Sequence, residues 1–126
     1  METNGYRDDG TREIIAAALE VHRELGPGLL ESAYEECLCY EFGMRDIRYR
    51  RQQQVPVRYK GKNLDCGYRL DLVAEGVILE LKCVDKLLPI HEAQLLTYLR
   101  LLPAKTGLLI NFKSTLLRNG IKRLSL

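Results

Sequence analysis

The stretch YRLDLVAEGVILELK, residues 68–82, alternates apolar and polar residues on either side of a Glu75-Gly76 pair. Period-two alternation marks strands, and a Gly-containing two-residue gap between two such runs suits a tight hairpin. That loop pairs 74 with 77, 73 with 78, 72 with 79 and 71 with 80, which sets Asp71 opposite Glu80. Leu70, Leu72, Leu79, Leu81 and Cys83 then form a core face, and Arg69, Asp71, Val73, Ile78, Glu80 and Lys82 share the other. Opposed side chains have Cβ atoms about 4.5–5.5 Å apart, where like charges destabilise the pair. Lys82 or Arg69 could neutralise the acids on an ordinary wet sheet face. A divalent cation is the sharper reading, because Mg²⁺ commonly takes one or two protein carboxylates and completes its shell with water and substrate phosphate. Lys82 points to the same face and could hold or polarise a water, an arrangement suited to phosphodiester hydrolysis.

Around this hairpin the chain reads as an α/β (α+β mixed) unit. Ile14, Ala18, Val21 and Leu25 recur at helical spacing over residues 12–25, and Gly26-Pro27-Gly28 stops that helix. A second helix is expected over about 29–43. Extended segments follow at roughly 45–50, 53–60, 64–74 and 77–84, with Lys60-Gly61-Lys62-Asn63 as a turn. Pro89 suits the first turn of a third helix reaching about 102. Strands near 106–112 and 120–125 complete a central mixed β-sheet flanked by α-helices. Residues 1–10 read as a flexible polar N-terminal tail, and 11–126 as one domain.

Composition narrows the function. No apolar run approaches the roughly 18 residues of a membrane span, and the acidic N-terminus lacks signal-peptide order, so the expected place is the cytoplasm and no membrane partner. Cys37, Cys39, Cys66 and Cys83 show no zinc spacing and read as reduced thiols. Residues 1–44 hold ten acids against three bases, whereas 45–126 hold sixteen bases against seven acids. Within the basic part, Arg48, Arg50, Arg51, Arg58, Lys60, Lys62 and Arg69, interleaved with Tyr49, Tyr59 and Tyr68, could follow a phosphate backbone; a solvated strand face explains them equally well.

Two polar residues sit where an amphipathic helix does not need them. Glu31 lies on the line of Tyr34, Leu38 and Phe42, while Glu35, Glu36 and Glu41 supply charge elsewhere; a glutamate facing inward requires a partner. Gln94 shares a stripe with Tyr98 and Leu101, one turn after His91. Both helices would turn these groups toward the hairpin.

The stretch LGPGLLESAYEECL, with Gly28, Glu31 and Tyr34 as Gly-x-x-Glu-x-x-Tyr, resembles the signature of the GxxExxY protein family. YRLDLV, ILELK, HEAQLLTYLRLL and GLLINF extend the resemblance over nearly the whole chain beyond the tail. That family is grouped with the PD-(D/E)XK nuclease superfamily, which implies a restriction-endonuclease-like core and an active site built from Asp followed by Glu-x-Lys. Asp71 matches the Asp and Glu80-Leu81-Lys82 the Glu-x-Lys, with Leu70 in place of the preceding proline. Gln94 and Tyr98 resemble the Gln-x-x-x-Tyr helix motif of the exonuclease branch, and Glu31 its N-terminal helix carboxylate. The resemblance implies a Mg²⁺- or Mn²⁺-dependent nuclease. Asp71, Glu80 and Glu31 would be metal ligands, Lys82 and Gln94 catalytic, and Tyr34 and Tyr98 supporting. DNA is the expected partner, with RNA and a homodimer as further possibilities. The alternative is a catalytically inactive module that binds nucleic acid or protein and keeps the acid–lysine cluster as a stabilising salt-bridge network.

Overall fold

The computed structural model describes residues 10–126, so the expected tail lies outside the described residues except for Gly10. Three helices are present: α1 (Thr11–Leu25), α2 (Glu31–Met44) and α3 (Pro89–Leu101). Five strands, β1 (Tyr49–Tyr59), β2 (Lys62–Ala74), β3 (Val77–Lys82), β4 (Thr106–Asn111) and β5 (Ile121–Ser125), form one sheet in the order β1-β2-β3-β4-β5. β3 and β4 run parallel because α3 carries the chain back between them; the other neighbours are antiparallel.

The sheet is covered on both faces. On one, Leu72, Leu79, Leu81, Leu108 and Ile110 pack with α1 and α2 residues such as Ile14 and Leu38. On the other, Val55, Leu70, Ile78 and Leu109 meet Leu95, Tyr98 and Leu99 of α3. Double coverage explains why β4 is buried at every position and reads as a continuous apolar run. It also replaces the wet face expected for the hairpin, since Ile78 is buried.

The segments expected at 45–50 and 53–60 are one strand. The break that suggested two is Gln52, which keeps its place in β1 with a left-handed φ of 52°. Leu70, expected beside Leu72 on one face, packs on the other. The β1–β2 ladder pairs Arg51 with Leu72 and Gln53 with Leu70 but omits Gln52 and Asp71 without changing register. The kink at Gln52 turns the following residues over, so alternation restarts with opposite sense.

Further out, Val55 pairs with Tyr68 but Val57 with Leu64, so Pro56 opposes the bulge Asp65-Cys66-Gly67. Proline has no N–H for a ladder, and a bulge is one of the places a strand accepts it. Beyond lies a short outer ribbon, closed at Lys60-Gly61 (φ 49° and 82°), and β2 is exposed throughout 62–69.

Candidate active site

The turn at Glu75-Gly76 has φ of 49° and 80° and sets the expected pairs 74/77, 73/78 and 72/79. There the ladder stops. Asp71 is therefore unpaired toward both neighbours, and its carboxylate takes over: Asp71 Oδ2 accepts the Leu81 N–H at 2.8 Å, and Glu80 Oε1 accepts the Asp71 N–H at 3.1 Å. Each acid thus ties its own strand to the other across the gap. Asp71 Oδ1 and Glu80 Oε2 take no hydrogen bond among the described residues.

Burial and crowding mark these groups. Glu80, 6% exposed, has its pKa pushed up to about 7, by burial first and the nearby charge of Asp71 second. Burial likewise raises Asp71, against the opposing effect of the Leu81 N–H. Glu31 is raised by partial burial and then by Asp71. Its place corrects one expectation: Glu31 is exposed at the start of α2, and the inward-facing glutamate is Glu35, one turn later and 8% exposed. Arg51 holds Glu35 at 3.0 Å and the Gln52 amide donates to it at 3.3 Å. The signal for Glu35 was its i+4 spacing from Glu31, on the same side of the helix.

The Gly-x-x-Glu-x-x-Tyr spacing has a local cause. Gly28 has φ 108°, a conformation that suits glycine, in the loop between α1 and α2. The buried Tyr34 hydroxyl donates to the Gly26 carbonyl at 2.5 Å and accepts the Leu29 N–H at 3.1 Å, while its ring stacks on Phe112 at 4.6 Å. Tyr34 therefore fixes the loop from which Glu31 emerges.

Lys82 ends β3, half-buried, and forms no ion pair within 4.0 Å among the described residues, although Glu31, Asp71 and Glu80 all feel its charge. Its backbone is held: the Lys82 carbonyl accepts the Phe112 N–H at 2.9 Å. Buried Asn111 clips the next residues, donating to the Val84 carbonyl at 2.9 Å and accepting the Val84 N–H at 3.1 Å. Sequence reasoning missed Asn111, a polar residue ending an apolar strand. On α3, Tyr98 is buried and its hydroxyl pKa is raised, by burial first and by Glu80 second. Gln94 is half-buried one turn earlier and makes no hydrogen bond among the described residues.

Of the seven nominated basic residues, Arg51 is already engaged by Glu35 and Glu36. Arg48, Arg50, Arg58, Lys60, Lys62 and Arg69 form no ion pair among the described residues. An open cleft of about 890 Å³ takes in Arg48, Arg50 and Gln53, with Pro103 beyond α3, and contains none of the nominated acids. No three His, Cys, Asp or Glu side chains among the described residues stand together as a ready metal cage. The donor set still suits a hard cation of the Mg²⁺ kind, which needs only one or two carboxylates.

Comparison with curated proteins and with solved structures returns no match. No helix among the described residues is long and apolar enough to cross a membrane. A family model described as PD-(D/E)XK nuclease superfamily matches residues 8–124. Nucleases of that superfamily act on nucleic acid and generally use divalent metal ions. A mixed five-stranded sheet with helices on both faces is consistent with its restriction-endonuclease-like fold. The match spans nearly all of the sequence, and the chain belongs to the PD-(D/E)XK nuclease superfamily.

Proposed function

We propose that this protein is a Mg²⁺- or Mn²⁺-dependent nuclease that hydrolyses phosphodiester bonds of DNA, within the GxxExxY branch of the superfamily. The observation that carries this is the pairing of two clustered carboxylates, each with one oxygen that takes no hydrogen bond among the described residues, with a lysine that has no ion pair there. A stabilising salt-bridge network would have closed Lys82 onto Asp71 or Glu80. The acids, held about one hydrogen bond from each other's strand, are instead kept separate from the amine.

In this reading Asp71 and Glu80 hold the cation and Glu31 assists from the start of α2. When bound, the cation supplies Lewis acidity that favours ionised water and offsets phosphate charge. Lys82 orients the attacking water and faces the phosphate with a positive charge. Gln94 and Tyr98 border this space from α3 and orient Lys82 or a phosphate oxygen. Arg58, Lys60, Lys62 and Arg69 on the outer ribbon, with Arg48 and Arg50 in the cleft, grip backbone phosphates without reading sequence. Four free cysteines suit a reducing compartment, which supports a cytoplasmic enzyme. A homodimer is the arrangement by which so small a chain would surround a duplex.

Calorimetric titration of Mn²⁺ into wild type and Asp71→Asn tests the site without a guess about substrate. Saturable binding to the wild type that disappears in the variant is expected, together with cleavage of labelled DNA that needs the ion. Folded wild type that neither binds Mn²⁺, with or without DNA, nor cuts DNA would overturn the proposal.

A further inference from the structure

Tyr68 stands where β2 leaves the body of the protein, 49% exposed, yet its ring meets buried Tyr98 with centroids 6.4 Å apart and planes inclined by 56°. Tyr98 in turn lies near enough to Glu80 and Asp71 to feel both charges. An aromatic step therefore leads from the acids, over Tyr98, to an exposed ring at the foot of the outer ribbon. The ribbon beyond carries Arg58, Lys60, Lys62 and Arg69, none ion-paired among the described residues, and Asp65 is the lone acid between residues 49 and 69. Residues 62–69, paired on one side with β1, are all exposed.

Resting on the nuclease reading, we propose that Tyr68 is a stacking platform for an unpaired base, and that the ribbon carries a single strand of nucleic acid toward Asp71 and Glu80. Stacking on an exposed tyrosine requires an open base face, which a duplex hides within its own stack. Aromatic platforms beside a positive track are the means by which single strands are held without sequence preference. Tyr68 is at the end of the ribbon away from the Lys60-Gly61 turn, against the helix that carries Tyr98.

The test uses the Glu80→Gln protein, so that bound strands stay intact, with Tyr68→Ala and Tyr68→Phe added in turn. Fluorescence anisotropy follows labelled oligodeoxythymidine and oligouridine of roughly ten nucleotides and a blunt DNA duplex. The single strands should bind more tightly than the duplex, and the two sugars separate DNA from RNA as the source of the strand. Tyr68→Ala should weaken single-strand binding about fivefold or more while leaving duplex binding unchanged, and Tyr68→Phe should bind like its parent. Equal affinity of Tyr68→Ala and its parent for single strands, or equal losses for strand and duplex, would overturn the inference. Absence of all nucleic-acid binding in a protein whose wild type still takes up Mn²⁺ overturns this inference and leaves the metal site standing. Loss of Mn²⁺ binding as well removes the nuclease reading itself.

Discussion

Asp71 and Glu80 hold their strands together with their carboxylates: Oδ2 of Asp71 accepts the Leu81 N–H, and Oε1 of Glu80 accepts the N–H of Asp71. Two acids that a hairpin would set in repulsion are thereby given structural work with one oxygen each, and the proposed metal site would use the second.

Stability of the metal-free protein should fall as pH rises. The carboxyl of Glu80 has a pKa of about 7 in the folded state against 4.5 when unperturbed. Between those values the folded chain holds a proton that the unfolded chain has released, so raising the pH favours unfolding, until the effect levels off above about 7. The total is on the order of 3 kcal/mol. Urea denaturation from pH 4.5 to 8 should show this decline, and Glu80→Gln should remove most of it. Saturating Mn²⁺ should restore stability at pH 8, because binding to the folded state alone adds stability by mass action.

Lys82→Met should separate chemistry from folding. The variant loses no ion pair among the described residues but does lose the charge that favours ionised Glu31, Asp71 and Glu80, so a modest loss of about 1 kcal/mol is expected in denaturant. Cleavage should fall by roughly a hundredfold or more. A large loss of stability with activity retained would point back to a structural cluster.

At Gln52 the expected order of stability is unusual. Gln52→Gly removes the bond to Glu35 but suits the left-handed φ of 52°, whereas Gln52→Ala loses the bond and keeps the strain. Glycine should therefore be the more stable by about 1 kcal/mol. Glu35→Ala should cost about 1 kcal/mol or more, because it removes the acceptor of the Gln52 amide and one of the two acids on Arg51, which keeps Glu36. Thermal melts of the three variants decide the order.

Thiol chemistry should be ordered as well. Cys66 is exposed on the ribbon, while burial pushes the Cys39 thiol up to about 11. Iodoacetamide followed by mass spectrometry should label Cys66 first and Cys39 only once the protein unfolds.

Much of this was legible in the sequence because the signals were local. The Glu75-Gly76 turn announced three of the hairpin pairs, and Pro89 announced α3. What periodicity could not show was a change of face within one strand. Strict alternation put Leu70 beside Leu72, and the left-handed Gln52 in the neighbouring strand overturned it. Glu31 was picked out by its place on the apolar line of α2, but burial depends on what packs opposite. Arg51, sixteen residues on, gives Glu35 a partner that no helical pattern reveals. The basic run had the same limit, since sequence counted Arg51 among the phosphate grips before its two glutamates were visible.

The gap in both ladders at Asp71 also bears on how this chain could change. Backbone groups that would ordinarily close a sheet are satisfied there by ionisable side chains, so the proposed site lies where the ladder is interrupted. A chain with Val or Ile at 71 and 80 would be rid of two buried acids, yet it would leave the N–H groups of residues 71 and 81 without their acceptors. Any gain in stability would therefore require the β2–β3 ladder to close over the gap. The two acids thus belong to the bonding of the sheet itself, and a relative lacking them would have to rebuild that bonding in backbone alone.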